Sequence, residues 1–325
     1  MTNNETVAVE QVKAREVAAV LGLDIENLDI REVNGGHMGY IRRIVADEES
    51  EFFIKAHDDT RFTDEQRRMH SRQYLDKEAA YMRHIVGEKA IVPKVHGLID
   101  DALVLDCLSE ENGWYWRAPE NEEQKQAYIE DVLQALTSVE VVDVIDDKLS
   151  DTRPALEIFL KDGWQIFDSK KAKITKKAAG WRDRLGPDSQ QYFGRFVTDM
   201  LTVNSKMVAQ NLADIDKKST LSHHDARQAN IAWHPDHGAR IVDWSWADEG
   251  TEKADTTMFL IDLAKSGHDV SGYMDEYFDI DHAMLLMGYY VSRSLDDTYD
   301  GDDTVRFHQF ASAITTYRLL VEKTP

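Results

Sequence analysis

Three oxygen-bearing side chains fall at short, ordered spacings between Leu221 and Gly250: Asp225, then Asn230 five residues on, then Asp243. Between the last two the chain reads as a tight β-hairpin. Ile231 to Trp233 runs out, His234 to Gly238 turns, and Arg240 to Val242 returns. A hairpin folds without an acid, an amide and a second acid at its ends. A Mg²⁺ ion held against phosphate oxygens needs such groups, because it takes a few hard oxygen ligands and leaves the rest of its shell to water and phosphate. Phosphoryl transfer also needs a base beside the acceptor hydroxyl. The acid upstream of the hairpin has the spacing for that part.

The elements that must present this stretch follow from hydrophobic patterning. From Val9 to Leu21 the apolar residues Val9, Val12, Val17, Val20 and Leu21 recur on one helical face, and Gly22 is a stop. Strands are expected at Ile30 to Val33, Tyr40 to Val45 and Glu51 to Ala56, with Asp47 to Ser50 as a polar turn. A helix over Thr63 to Val86 carries Glu78, and Val92 to Leu98 with Ala102 to Leu105 completes a small antiparallel sheet. A break follows near Asp106 to Leu108. Beyond it the pattern is mostly helical: Glu122 to Ser138, Asp188 to Ala213, and segments around Asp255 to Lys265, Asp281 to Ser294 and Val305 to Glu322. No internal repeat or low-complexity tract is visible.

Two features of the first third carry chemistry of their own. Asn34-Gly35-Gly36-His37-Met38-Gly39 lets backbone N–H groups approach phosphates closely, although glycines also simply make turns. Lys55 ends the apolar run Phe52-Phe53-Ile54, and an ammonium buried there needs a partner. Glu78, 23 residues on, is a candidate; the alternative is a lysine whose stem packs while its head reaches water.

The run His223-His224-Asp225-Ala-Arg227-Gln-Ala-Asn230, followed by Ile241-Val-Asp243-Trp244, resembles the catalytic and metal loops of the protein-kinase-like fold, and most closely the aminoglycoside phosphotransferase family. The glycine turn, Lys55, Glu78, the break, Asp225, Asn230 and Asp243 succeed one another in that family's order, so the resemblance spans roughly Val33 to Asp255. It implies an α+β, bilobal fold: a small antiparallel-sheet N-lobe over residues 1–106 that binds nucleotide, and a mostly helical C-lobe over residues 107–325. It implies ATP and Mg²⁺ as cofactors and a small-molecule hydroxyl as acceptor. By the same resemblance Asp225 is the base, and Asn230 and Asp243 hold the metal. Lys55, steadied by Glu78, meets the α- and β-phosphates, and Gly35, Gly36 and Gly39 cover the triphosphate. The backbone of Leu105 to Leu108, including Asp106 and Leu108, meets adenine. His223 anchors the loop, and Asp255 braces it from the following helix. No Ala-Pro-Glu follows Asp243, which argues against a protein substrate.

Three positions depart from the pattern. His224 replaces a small residue. Arg227 stands where protein kinases have a γ-phosphate lysine, which makes it either a second catalytic group or a surface arginine. Ser245 stands where an acid is common. The histidines 223, 224, 234 and 237 also admit a Zn²⁺ site, but neighbouring histidines in an extended segment face opposite ways and two of the four belong to the turn. Trp114-Tyr115-Trp116 either stacks a substrate ring or packs the lobe junction. Lys161 to Arg184, with eight basic residues against three Asp, reads as a solvated helix face or as the lining of an anionic acceptor site.

Composition narrows the classes. A chain of 325 residues with net charge −22 repels nucleic acid and anionic membranes and is mildly compatible with a cationic acceptor such as an aminoglycoside. Metabolic alcohols such as choline, homoserine or a sugar are the alternative acceptors, and a nucleotide-binding scaffold without turnover is the alternative of another class. Cys107 is the only cysteine, so no intrachain disulfide forms. Neither a signal peptide nor a membrane-spanning run is apparent, so a cytoplasmic location is expected. The oligomeric state is not legible.

Overall fold

A computed structural model describes residues 14–33, 40–57, 64–88, 90–99, 102–140, 142, 144, 153–213, 215, 218–298 and 302–323. By compactness the chain forms two units. One takes in Met1–Ala135 and, from far along the sequence, Ala229–Ala247; the other takes in Leu136–Val144, Arg153–Gln228 and Asp248–Pro325.

The first unit is built on an antiparallel sheet ordered β1-β2-β3-β5-β4, from Asp29–Glu32, Tyr40–Ala46, Glu51–His57, Ala102–Asp106 and Val95–Ile99. The β2–β3 turn closes with the Asp47 N–H on the Ser50 carbonyl, and the Asp47 carboxylate accepts from Glu49 and Ser50. Helix α1, residues 14–21, ends at Gly22, whose φ of +77° a side chain would resist. Its buried face is Ala14, Val17 and Ala18, packed on Val45, Ile54, Ala56 and Val104. Val20, expected on that face, is exposed, because the spacing 14, 17, 18, 21 already fills the stripe. Val9 and Val12 lie outside the described residues. Helix α2, Glu65–Glu88, buries Tyr81, Met82 and Ile85 together with Lys77 and Glu78.

The hairpin belongs to this unit. Strands β7, Ile231–His234, and β8, Gly238–Ile241, pair in register, and the Ile241 N–H reaches the Ile91 carbonyl at 2.7 Å. Two of the three aromatics at 114–116, Trp114 and Tyr115, pack against it. Tyr115 exchanges both backbone hydrogen bonds with Trp233, Trp114 stacks on His237 and abuts His234, and the Trp116 indole donates to the Leu108 carbonyl at 2.9 Å. The two turn histidines lie ring on ring, 4.5 Å apart.

Helix α3, Glu122–Val139, runs from the first unit into the second. The second unit contains α4 (Ala155–Lys161), α5 (Trp164–Lys170), α6 (Ile174–Ala179), α7 (Pro187–Thr202), α8 (Ser205–Ala213), α9 (Ala254–Lys265), α10 (Met274–Tyr277), α11 (Ile280–Ser294) and α12 (Thr304–Lys323). Strand β6, Lys218–Ser222, pairs antiparallel with β9, Asp248–Gly250. The pattern expected as one helix over Asp188 to Ala213 is two, broken at Val203-Asn204. Met207 N–H bonds the Asn204 side chain, which caps the second helix. Five of the eight basic residues of the stretch, Lys161, Lys173, Lys176, Arg182 and Arg184, are exposed, as on a solvated helix face; the other three are engaged within the protein. Lys170 and Lys177 donate to the carbonyls of Ser292, Leu295 and Asp296 at the end of α11, and Lys171 to that of Val203 at the end of α7. Ammonium groups satisfy helix C-terminal carbonyls and oppose the dipole there.

Candidate active site

In the first unit Lys55 sits at the centre of a charge cluster. Its position in β3 is paired with Arg42 and Leu103 on the neighbouring strands, and its side chain is 3% exposed. The Nζ donates to Glu78 at 2.6 Å and to Asp243 at 2.9 Å, and lies 4.7 Å from the centre of the Tyr40 ring. The Tyr40 hydroxyl is in turn fixed on the Ser71 carbonyl of α2. Lys55 therefore does not reach for water; it is buried with two carboxylates. Burial works against its charge, but Asp243 and Glu78 together hold it above the ordinary lysine value. The converse holds for Glu78. Burial, only partly offset by Lys55 and reinforced by Asp243, pushes it up to about 6. One ammonium shared by two acids is over-stabilised, while each acid receives a share.

Asp243 follows β8 and takes a left-handed backbone, φ +66° and ψ +54°, a conformation aspartate tolerates better than most residues. The Ser245 hydroxyl donates to its Oδ1 at 3.1 Å, and Arg42 lies 3.9 Å from Oδ2. Ser245 thus orients the carboxylate where an acid was the more usual residue. Asn230 ends the turn Gln228–Asn230, and its carbonyl accepts the Val242 N–H at 2.9 Å. That bond continues the hairpin register and sets Asn230 across from the residue preceding Asp243. Of the residues expected to meet adenine, Asp106 bonds His96 at 2.7 Å through its carboxylate and Lys94 through its N–H, and the Leu108 carbonyl accepts from Trp116. Gly35, Gly36 and Gly39 lie outside the described residues.

In the second unit the loop after β6 carries Asp225. The His223 ring is fully buried, and its Nδ1 accepts the Asp225 N–H at 3.2 Å. The Asp255 carboxylate accepts the N–H groups of His223 at 2.6 Å and His224 at 2.9 Å, so the expected brace from the following helix is present. Arg227 is no free surface arginine. Its Nε and Nη2 grip the two Asp225 oxygens at 2.6 and 2.9 Å, a fork matched to a carboxylate. The Asp225 charge raises Arg227 above the ordinary arginine value. Beyond it, His308 lies within 3.5 Å of Arg227 and 3.2 Å of Lys265, and burial followed by those two cations pushes its imidazole down to about 4.

His224 has φ +61°, which explains why a small residue suits this position. Here the ring offsets the backbone cost: its Nε2 donates to the Glu249 carbonyl at 2.9 Å, and the ring meets Phe159 edge-on. Thermal unfolding is expected to rank His224→Gly above His224→Ala by about 1 kcal/mol, because alanine keeps the left-handed strain and loses the ring. Equal midpoints would mean the backbone conformation carries no strain.

The model of the phosphotransferase enzyme family (APH) matches residues 36–286 of this chain. The chain belongs to that family. Among solved structures it is similar to the choline kinase LicA from Streptococcus pneumoniae (TM-score 0.58, 9% identity, covering 95% of this chain and 99% of that one). It is similar also to a microcompartment-associated aminopropanol kinase (TM-score 0.51, 11% identity, 96% and 98% covered) and to aminoglycoside phosphotransferase APH(2'')-Ib bound to ADP (TM-score 0.50, 12% identity, 92% and 94% covered). At such identities the likeness is one of fold, the kinase-like α+β fold of the APH family. Among curated proteins none matches. Asp262 and Lys265, which complete the Asp225 neighbourhood, were not anticipated; the one signal for Asp262 was its seven-residue spacing from Asp255 on an apolar helix.

Proposed function

We propose that this APH-family protein is an ATP- and Mg²⁺-dependent phosphotransferase that moves a γ-phosphoryl group to a hydroxyl of a small molecule. The observation that carries the reading is the Lys55 ammonium, buried and shared between Glu78 and Asp243. A lysine fixed in this way contacts nucleotide phosphates, and an acid at its other side takes the metal. The donor set fits Mg²⁺: one carboxylate and one amide oxygen, hard ligands too few to enclose the ion and so suited to one that keeps water and phosphate. When bound, Mg²⁺ neutralises charge on the β- and γ-phosphates. Asn230 and Asp243 would hold it, and Lys55 would give up its Asp243 partner for phosphate oxygens.

Asp225 orients the acceptor hydroxyl and takes its proton. Arg227, gripping both carboxylate oxygens, fixes the direction in which Asp225 faces and supplies positive charge to the transferring phosphoryl. Residues 1–106, joined by Asn230 and Asp243 from the hairpin segment, serve the nucleotide, and the rest of residues 107–325 the acceptor, with adenine read by the backbone around Asp106 to Leu108. Acceptors of first choice are hydroxyl compounds bearing amines, among them aminoglycosides and small amino alcohols, since the chain carries net charge −22.

The test is ATP consumption across a panel of aminoglycosides, choline, homoserine and sugars, guided by thermal shifts with ATP and Mg²⁺ present. Acceptor-dependent turnover supports the reading. Nucleotide binding with no turnover on any acceptor, unaltered by Asp225→Ala, would leave a scaffold instead.

A further inference from the structure

Helix α9 carries two buried acids on one face. Asp255 and Asp262 are 7 residues apart, so they project within about 20° of each other and roughly 10 Å apart along the axis. Asp255 holds the loop before Asp225, through His223 and His224. Asp262 holds it after Asp225: its Oδ2 accepts the Gln228 N–H at 3.0 Å and lies 3.4 Å from the Gln228 side-chain amide. Its Oδ1 accepts from Lys265 at 2.5 Å, and Lys265 meets His308, which also faces Arg227. The segment carrying Asp225 and Arg227 is therefore pinned at both ends to one rigid helix.

We propose that Asp262 is a positioning residue for phosphoryl transfer, a second brace that fixes the Arg227-Gln228 half of the loop and so the angle at which Asp225 meets its acceptor. A carboxylate buried at this depth is costly to keep charged. Burial raises its proton affinity, yet Lys265 and the Gln228 N–H more than offset that and hold it below the ordinary carboxylate value. An acid maintained against its burial on a loop amide is placed for geometry, and displacement of a reacting group by about 1 Å costs as much as 10²-fold in rate. Asp262 acts through Arg227 and Asp225 and touches neither substrate.

The inference rests on the function proposed above. The experiment compares kcat and KM for MgATP of the parent, Asp262→Ala, Asp262→Asn and Gln228→Ala, per mole of nucleotide-binding protein. Asp262→Ala is expected to lower kcat by about 10- to 100-fold with KM within threefold, since nucleotide contacts are untouched. Asp262→Asn keeps an oxygen for the Gln228 N–H and is expected to recover most of kcat. Gln228→Ala keeps the backbone bond and loses the longer side-chain contact, so it is expected to lower kcat less than Asp262→Ala does. Should the alanine variant fail to fold, Asp262→Glu decides, since it keeps charge and the Lys265 partner but moves the carboxylate one methylene outward; it is expected to lose kcat and keep KM. Parental kcat in the alanine and glutamate variants of an active protein overturns the inference alone. A parent that phosphorylates no acceptor overturns the inference together with the function beneath it.

Discussion

Asp225→Asn is expected to lower kcat by about 10²- to 10⁴-fold, the usual contribution of a positioned base, while the affinity for MgATP stays within a few-fold. The nucleotide-holding groups, Lys55, Glu78 and Asp243, are elsewhere in the sequence and make their contacts without it. The variant also leaves Arg227 without its bidentate counter-charge. The side chains of the pair are 30% and 26% exposed, so the cost is moderated by water and is about 1–3 kcal/mol. Loss of turnover must therefore be separated from loss of fold. The double variant Asp225→Asn/Arg227→Gln removes the stranded charge and is expected to regain stability without regaining turnover. Calorimetric nucleotide titration, thermal unfolding and steady-state rates on all three proteins decide the matter. A single variant that turns over at the parental rate would remove Asp225 as the base, while the turnover itself would leave the phosphotransferase reading standing.

What the sequence disclosed and what it concealed divide along a physical line. The hairpin was legible because Pro, Asp and Gly punctuate two short apolar runs, and the pairing of Ile231 with Ile241 follows from that turn. The sheet strands were legible because short apolar runs such as Phe52-Phe53-Ile54 and Ala102 to Leu105 lie between polar segments. Lys55 was ambiguous in isolation, since burial or exposure of a terminal lysine depends on what α2 and the segment after β8 bring to it. Its second acid, Asp243, is 188 residues away. The lysines at 170, 171 and 177 were misread for the same reason: the carbonyls they cap lie 32 to 122 residues off, and no local pattern announces them. The split at Val203-Asn204 was concealed because the apolar period continues on both sides of it. Asp262 belongs to no motif, and only its seven-residue spacing from Asp255 on an apolar helix marks it. Its function-bearing partner is a backbone N–H, which every residue but proline possesses.

The second large effect concerns Lys55. Lys55→Met is expected to abolish turnover and to destabilise the protein by about 3–5 kcal/mol at neutral pH, because it leaves Glu78 buried without its cation. Both side chains are nearly inaccessible, 3% and 2% exposed, so water offers little compensation. The loss should depend on pH in a defined direction. In the parent, Glu78 titrates at about 6 against a reference of 4.5, so the folded state binds more protons across that window. The contribution of this group to stability therefore falls as pH rises from 4.5 to 6. Removing Lys55 removes an influence that lowers the Glu78 value, and the window extends above 6. The penalty of Lys55→Met is thus largest at pH 7.5 and shrinks towards pH 5, where the stranded carboxyl takes up a proton. Adding Glu78→Gln supplies a neutral group at all these pH values. It is expected to recover part of the stability at pH 7.5 and to flatten the pH dependence, with no return of turnover, since no ammonium remains for the phosphates. Urea midpoints of the parent, single and double variants at pH 5, 6 and 7.5 measure this as differences, so that carboxylates common to all three cancel. A penalty independent of pH would mean that Glu78 does not depend on the lysine for its charge, and the buried pair would lose its place at the centre of the site.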